Sequence, residues 1–180
     1  MIKSKSFFIR GSRLELRGLI PEDVGDFYLN WMNDSEVVRF TEARHKKYTL
    51  DDLQAYVKAH NESGRDYLFG IFEINTGRYI GNIKVGPVDP NHGTASVGLI
   101  IGEKKCWGRG YGTEVIHLIA EFAFKQLGLA KLTAGVVAGN VASQRAFEKN
   151  GFRIEGVRHK QNLFEGERRD EILFGLLREE

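Results

Sequence analysis

The sequence predicts one mixed α+β domain with a mostly antiparallel, twisted sheet and helices on both of its faces. Three observations predict this class. Short β-branched and apolar runs alternate with amphipathic stretches along the 180 residues, a length within the range of one domain. Asn75, Thr76 and Gly77 form a short turn between two such runs, which favours an antiparallel hairpin. The last part of the chain runs helix, strand, helix and two strands, and we expect the last two strands to pair across residues 164–167.

Turn and capping residues place the boundaries of the predicted elements. Pro21 suits the first turn of a helix, Thr49 and Asn140 suit N-caps, and Gly64 and Gly151 suit C-terminal stops. The predicted strands cover residues 13–19, 67–74, 78–85, 94–101, 132–137, 153–158 and 170–177, and the predicted helices cover residues 21–31, 50–61, 115–126 and 140–150.

A glycine-rich stretch, WGRGYGTE from Trp107 to Glu114, lies between a strand-like run and an amphipathic helix. Glycine has no Cβ and adopts positive φ readily, so successive backbone N–H groups can converge on phosphate oxygens. The dipole of the following helix adds to this attraction. The stretch alone predicts either an anion site or only a tight turn between strand and helix.

Two familiar nucleotide-binding motifs do not fit this stretch. A Walker A loop requires lysine before its Ser or Thr, and Gly112, Thr113 and Glu114 offer none. A Rossmann dinucleotide site requires an acidic residue about 20 residues after the glycines. Residues 130–137 contain no acid, and the loop follows several strands rather than the first.

Composition and charge exclude several kinds of protein. A hydrophobic content of 42% excludes a disordered chain, and a net charge of +2 gives no footprint for general nucleic-acid binding. The basic run of residues 44–47 (RHKK) is interpreted either as a solvated loop or as a rim that attracts the phosphates of a ligand. No run of 18 apolar residues predicts a membrane span, and the first residues lack the apolar core of a secretory signal, so we expect a cytoplasmic protein.

Cys106 is the single cysteine, which excludes an intramolecular disulfide and a cysteine zinc site. It lies beside the glycine loop, where it is either a nucleophile or a buried packing thiol; no histidine lies near it in sequence, which favours packing. We expect no metal.

The segment after the next predicted strand, NVASQRAFEKNGFRIEG from Asn140 to Gly156, completes a pattern of glycine loop, helix, strand and capped helix. In this order and spacing the chain resembles the GNAT superfamily of acyl-CoA-dependent N-acyltransferases, and within it the RimJ/RimL-type branch, which acetylates N-terminal amines of ribosomal proteins. The resemblance extends from Arg13 to Phe174, and it implies one GNAT domain over residues 1–180.

The resemblance implies a sheet of six to seven strands with about four helices, in which the fourth and fifth strands separate to form a V-shaped slot. Acetyl-CoA would be the co-substrate. The residues that would bind it are the end of the fourth strand, the glycine loop and the N-cap of the last helix: Leu99, Ile100, Ile101, Arg109, Gly110, Tyr111, Gly112, Thr113 and Asn140.

The family's reaction is direct attack of an amine on the thioester in a ternary complex. The tyrosine that many relatives use to protonate the thiolate is replaced by Phe147, and Ser143 is the nearest hydroxyl by motif. The glutamate that many relatives carry two residues before the strand glycine is replaced by Ser96. Glu155 is therefore the first alternative base, with Glu42, His45 or a water behind it.

The amine acceptor is expected to meet the first half of the chain, around Trp31, Phe40 and Glu42, and the loop of residues 87–93. Trp31 and Phe40 are also candidates for the core. A protein N-terminal amine, an amino-sugar nucleotide and a polyamine remain open as acceptors. A non-catalytic acyl-CoA sensor is the alternative of another class, and the family often forms homodimers, which one sequence does not decide.

Overall fold

The computed structural model describes residues 7–179, which form one eight-stranded sheet and four α-helices. The strands are β1 (Phe8–Arg10), β2 (Leu14–Gly18), β3 (Tyr67–Glu73), β4 (Tyr79–Val85), β5 (Thr94–Ile101), β6 (Lys131–Val137), β7 (Arg153–Phe164) and β8 (Glu167–Leu177). The helices are α1 (Asp26–Asn33), α2 (Leu50–Ser63), α3 (Tyr111–Lys125) and α4 (Val141–Lys149).

The sheet has the order β1-β2-β3-β4-β5-β6-β8-β7 and is antiparallel except between β5 and β6. The predicted fold class is confirmed, but the expected count of six to seven strands was too low. The missed strand, β1, has only three residues, and its pairing with β2 gives it its place in the sheet. A strand this short carries too few residues for an alternating pattern to be visible.

Helices cover both faces of the sheet, as predicted. Neighbouring strand residues point to opposite faces, and Leu68 packs in a core with α1 and α2, whereas Phe69 packs in a larger core with α3. Phe122 of α3 and Phe147 of α4 belong to that larger core, and both are at most 3% exposed. The two cores therefore hold the sheet between two helical layers.

The first predicted helix, residues 21–31, is divided in the structure. Pro21–Asp23 form a short 3-10 turn, and α1 begins only at Asp26. Gly25 lies between them with extended backbone angles and is the N-cap of α1. The divided start turns α1 so that Tyr28 and Trp31 face the smaller core.

Several predicted caps are confirmed. The Thr49 hydroxyl accepts a hydrogen bond from the Asp52 backbone, and the Asp52 carboxylate accepts one from the Thr49 backbone in return. Gly64 ends α2 with φ of 67°, in the left-handed region. Within residues 7–179, no helix is both long and apolar enough to cross a membrane.

Candidate active site

The centre of the sheet opens where β5 and β6 part. The two strands pair in parallel only from Thr94 with Lys131 to Ser96 with Thr133. Beyond that pair, residues 97–101 of β5 remain paired with β4, and residues 134–137 of β6 remain paired with β8. Each strand therefore keeps one paired edge and turns one open edge toward the gap, which can accept the amide groups of an extended ligand as an added strand. The predicted V-shaped slot is present.

The glycine loop lies at the wide end of this gap and leads into α3. Gly108 and Gly110 have φ of 72° and 77°, a conformation that disfavours any residue with a Cβ. Gly110 is the N-cap of α3, so the first N–H groups of the helix, beginning at Tyr111 and Gly112, have no partner within the helix. These donors, at the positive end of the helix dipole, form a site for a phosphate group.

Side chains distant in sequence hold the glycine loop in place. The Tyr111 hydroxyl donates to the Glu73 carboxylate at 2.7 Å, and Arg109 lies 3.4 Å from the same carboxylate. The Tyr111 hydrogen bond holds the pKa of Glu73 below its usual range. From the other side, the Arg13 guanidinium donates to the Arg109 carbonyl at 2.9 Å and pairs with Glu114 at 2.7 Å. The loop is thus fixed to β3 and to the start of β2.

The N-terminus of α4 forms the other wall of the gap. The Asn140 side chain accepts a hydrogen bond from the Ser143 backbone N–H at 3.2 Å, which caps α4. The Ser143 hydroxyl makes no hydrogen bond with the residues that the structure describes, and Ser143 lines the cavity described next. Phe147, one turn further along, also lines it.

A cavity of about 440 Å³ joins the gap to the face covered by α1 and α2. This volume is typical of sites for small ligands. Residues of β5, β6 and α4 line its inner part: Val97, Gly98, Leu99, Ile100, Gly135, Val136, Val137, Asn140, Ser143 and Phe147. Residues of α1, α2, β3, β4 and the intervening loop line its outer part: Tyr28, Met32, Phe40, Thr41, Glu42, Ala43, Tyr48, Leu53, Tyr56, Leu68, Asn82 and Lys84.

The outer part of the cavity is mainly aromatic and apolar. Burial raises the pKa of Tyr28 and of Tyr56, so both hydroxyls are neutral donors at physiological pH. Glu42 and Lys84 are the only acidic and basic side chains among the described residues of the lining. The lining therefore has no net charge.

The loop that carries Phe40 and Glu42 is held from the far end of the chain by the β7–β8 hairpin. Phe40 stacks on Phe164 with ring centroids 5.1 Å apart, and Arg39 pairs with Glu165 at 2.9 Å. Arg44 donates to the Leu163 carbonyl at 3.1 Å. The tip of the hairpin thus fixes the rim of the cavity.

The structure brings together most of the residues that the sequence predicted for the site. Leu99, Ile100, Asn140, Ser143, Phe40 and Glu42 line the cavity, and residues 109–113 form the loop beside it. Ile101 is not in the lining, and its carbonyl accepts a hydrogen bond from the Trp107 indole at 2.7 Å. Trp31 is 7% exposed in the smaller core and packs against the backbone at Gly102, outside the lining.

Glu155, the first predicted base, also lies outside the lining. It stands in a bulge of β7 and pairs with Lys131 at 2.6 Å. Its strand, β7, is the edge strand of the sheet, and β8 lies between β7 and β6, a strand that lines the cavity. Ser96 is exposed and likewise outside the lining.

Sequence reasoning missed Asn82 and Lys84, which lie two residues apart on one face of β4 and line the cavity. Their strand has the sequence YIGNIKV. Polar residues at alternate positions of a central, mostly buried strand could have indicated that they line a site. Asn82 is 4% exposed, and among the described residues the other buried polar or charged side chain is that of Glu73, at 7%.

Other candidates play structural parts. In the basic run, Lys46 pairs with Asp52 at 2.8 Å, Lys47 donates to the Asn33 carbonyl and Arg44 to the Thr41 carbonyl. Cys106 is 2% exposed, and burial raises the pKa of its thiol, which suits packing rather than nucleophilic attack. Residues 7–179 contain no group of three or more His, Cys, Asp or Glu side chains that could hold a metal ion.

The parted strands, the glycine loop at a helix N-terminus and the cavity between them define an acyl-CoA-dependent N-acyltransferase. A model of the acetyltransferase (GNAT) domain matches residues 13–153, and the chain belongs to this family. Members of the family transfer the acetyl group of acetyl-CoA to an amine.

Individual relatives agree with this assignment. YoaA of Bacillus subtilis, described as an uncharacterized N-acetyltransferase, is 31% identical over 81% of this chain and 82% of its own length. YokL, a prophage-derived uncharacterized N-acetyltransferase of the same organism, is 29% identical over 94% of this chain and 93% of its own. The crystal structure of spermidine N-acetyltransferase from Vibrio cholerae in complex with CoA and spermine superposes with a TM-score of 0.83 at 22% identity, covering 93% of this chain and 96% of that one, which shows the shared fold.

Proposed function

We propose that this N-acetyltransferase acts on the α-amine at the N-terminus of a peptide or protein, as in the RimJ/RimL-type branch. The charge of the acceptor side of the cavity carries the proposal: Glu42 is the single carboxylate of the described lining, Lys84 already pairs with Asp66 at 3.9 Å, and the remaining outer lining is aromatic, apolar or neutral. One carboxylate suffices for one ammonium group. A peptide N-terminus brings one positive charge followed by uncharged amide groups, which matches this lining.

The absence of a buried carboxylate from the described part of the lining favours the same acceptor. Glu42 is the sole acid there, and its side chain is 79% exposed. An α-amine with a pKa near 8 is about one-tenth neutral at pH 7, whereas a lysine-type amine near 10.4 is neutral in roughly one molecule in a thousand. A strong general base is therefore needed less for an α-amine.

We assign the parts of the reaction to residues as follows. The N–H groups of residues 109–113 hold the diphosphate of acetyl-CoA, Leu99 and Ile100 present the open edge of β5 to its pantetheine arm, and Asn140 fixes the start of α4 beside it. The co-substrate supplies the thioester. A new C–N bond forms as the C–S bond breaks, Glu42 or water takes the proton from the amine, and the Ser143 hydroxyl donates a hydrogen bond to the departing sulfur.

The alternatives fit the cavity less well. The spermidine enzyme of Vibrio cholerae was solved with spermine, but a polyamine carries several positive charges, and the described lining offers them only one carboxylate, Glu42. An amino-sugar nucleotide needs cations for its diphosphate, and residues 44–47 already contact protein groups. A non-catalytic sensor is disfavoured by the acetyltransferase family and relatives.

The test is an amine panel with acetyl-CoA: peptides with free α-amines, an amino-sugar nucleotide and spermidine, with release of the thiol as the readout. We expect the peptides to have the highest kcat/KM, rising with pH through the pKa of the α-amine. Preference for spermidine or the sugar nucleotide would overturn the acceptor assignment. Binding of CoA without thiol release from any amine would support the sensor instead.

A further inference from the structure

Asn82 has an unused hydrogen-bond donor in the wall of the cavity. Its Nδ2 atom is buried and has no hydrogen-bond partner within residues 7–179, whereas its Oδ1 atom accepts a hydrogen bond from the Tyr79 hydroxyl. The Asn82 side chain is fixed at one end and free to donate at the other. Buried amide donors in folded proteins nearly always have a partner, because leaving one unpaired costs about 1–3 kcal/mol.

The position of Asn82 places this donor on the acceptor side of the site. Asn82 pairs with Ile100 of β5, and Lys84 on the same face pairs with Gly98. A Cβ added at Gly98 would meet no atom within 4 Å, so this part of β5 leaves open space in front of β4. Asn82 therefore lines the cavity beside the part of β5 that carries Leu99 and Ile100.

We propose that Asn82 recognises the first carbonyl oxygen of the acceptor, through a hydrogen bond from its Nδ2 atom, and that Tyr79 positions it by holding Oδ1. This inference rests on the proposed function and deepens it. In a peptide one carbon atom separates the α-amine from the first carbonyl group. A single hydrogen bond to that carbonyl oxygen would therefore position the amine and also select acceptors that contain a carbonyl group. Lys84, two residues away on the same face of β4, pairs with Asp66 at 3.9 Å.

The inference separates the acceptors by chemistry. A peptide N-terminus offers a carbonyl oxygen to Asn82, whereas an alkylamine or polyamine offers none and leaves the donor unpaired. A site built to bond a polar group rejects the analogue that lacks it far more strongly than an apolar pocket rejects a change of size. Asn82 is on this account a specificity-determining residue rather than part of the proton transfer.

The experiment compares two acceptors in each variant: trialanine amide, and its analogue in which an (E)-alkene replaces the first amide and removes the carbonyl oxygen. Rates are compared per neutral amine, because the two amines differ in pKa. We expect the wild type to prefer the amide by about ten- to hundredfold in kcat/KM. Asn82→Asp should reduce this ratio to near one, mainly by lowering the rate with the amide. Asn75→Asp, the same change in the exposed turn between β3 and β4, should leave the ratio unchanged.

A second variant covers the case in which an acid at position 82 fails to fold. Asn82→Leu combined with Tyr79→Phe replaces both bonded partners by apolar groups of similar shape, a change that is nearly neutral for stability. It should also abolish the preference.

Each other outcome overturns a defined claim. An equal loss of kcat/KM with both acceptors would mean that Asn82 contacts the thioester or only stabilises the fold. An undiminished preference for the amide in both variants would mean that Asn82 does not bind the acceptor. Either result overturns the Asn82 inference alone. A wild type that acetylates alkylamines but not trialanine amide would overturn the proposed α-amine function as well.

Discussion

Removing the Ser143 hydroxyl should slow acetyl transfer without unfolding the enzyme. The cap of α4 uses the backbone N–H of Ser143, which alanine keeps, and the hydroxyl has no hydrogen-bond partner among the described residues. Ser143→Ala should therefore change the free energy of unfolding by less than about 0.5 kcal/mol. The lost hydrogen bond to a developing thiolate is worth about 1.5–3 kcal/mol, because the acceptor is charged, so kcat should fall about 10- to 100-fold.

The assay is thiol release at saturating acetyl-CoA, with urea unfolding as the stability measurement. The KM for acetyl-CoA should change little, because the proposed contacts of its diphosphate and pantetheine arm are with other residues. Ser96→Ala is the matched control, since that serine is exposed and outside the cavity lining. An unchanged kcat in Ser143→Ala would refute the assigned hydrogen bond from Ser143 to the departing sulfur, and an equal loss in Ser96→Ala would show that the assay does not report on the site.

Three further changes test other parts of the structure. Tyr111→Phe removes the hydrogen bond to Glu73, so it should cost about 2 kcal/mol and lower Tm by about 4–8 °C in thermal unfolding at pH 7. The lowered pKa of Glu73 makes this contribution present above the unfolded value near 4.3 and lost as the pH falls further, so the two Tm values should converge in acid; a constant difference would contradict the pairing. Glu155→Gln should leave kcat and its pH profile unchanged, because Glu155 pairs with Lys131 outside the cavity lining, and a loss of the acidic limb of that profile would restore it as the base. Gly98→Leu should raise the KM for the amine at least about tenfold by filling the space in front of β4, while calorimetry shows unchanged CoA affinity; unaffected amine kinetics would place the acceptor elsewhere.

Local chemistry allowed much of the fold to be predicted from the sequence. The Thr49 cap, the glycine after α2 and the glycine loop before α3 each depend on residues a few positions apart, so their patterns are visible in the chain. The strand of residues 94–101 was predicted with the bounds that β5 has in the structure. The parting of β5 from β6 followed from the family resemblance rather than from any property of the two strands themselves.

The remaining features depend on contacts between distant residues. Glu73 and Tyr111 are 38 positions apart, and no pattern in either segment predicts the hydrogen bond between them. Trp31 and Phe40 look alike as aromatic candidates for the acceptor pocket, yet the divided start of α1 turns Trp31 into the core and the hairpin stack leaves Phe40 at the cavity. Glu42 lies in the cavity lining and Glu155 lies outside it. Tertiary packing decides this difference, so the sequence around each acid does not reveal it.

The tip of the β7–β8 hairpin contacts the rim of the cavity through Leu163, Phe164 and Glu165. Substitutions at Phe164 or Glu165 would shift Phe40 and its neighbours while the glycine loop and the parted strands keep their shape. Substitutions near the C-terminus, more than a hundred residues from the loop that they would move, could therefore change which amine the enzyme accepts during evolution while acetyl-CoA binding is kept.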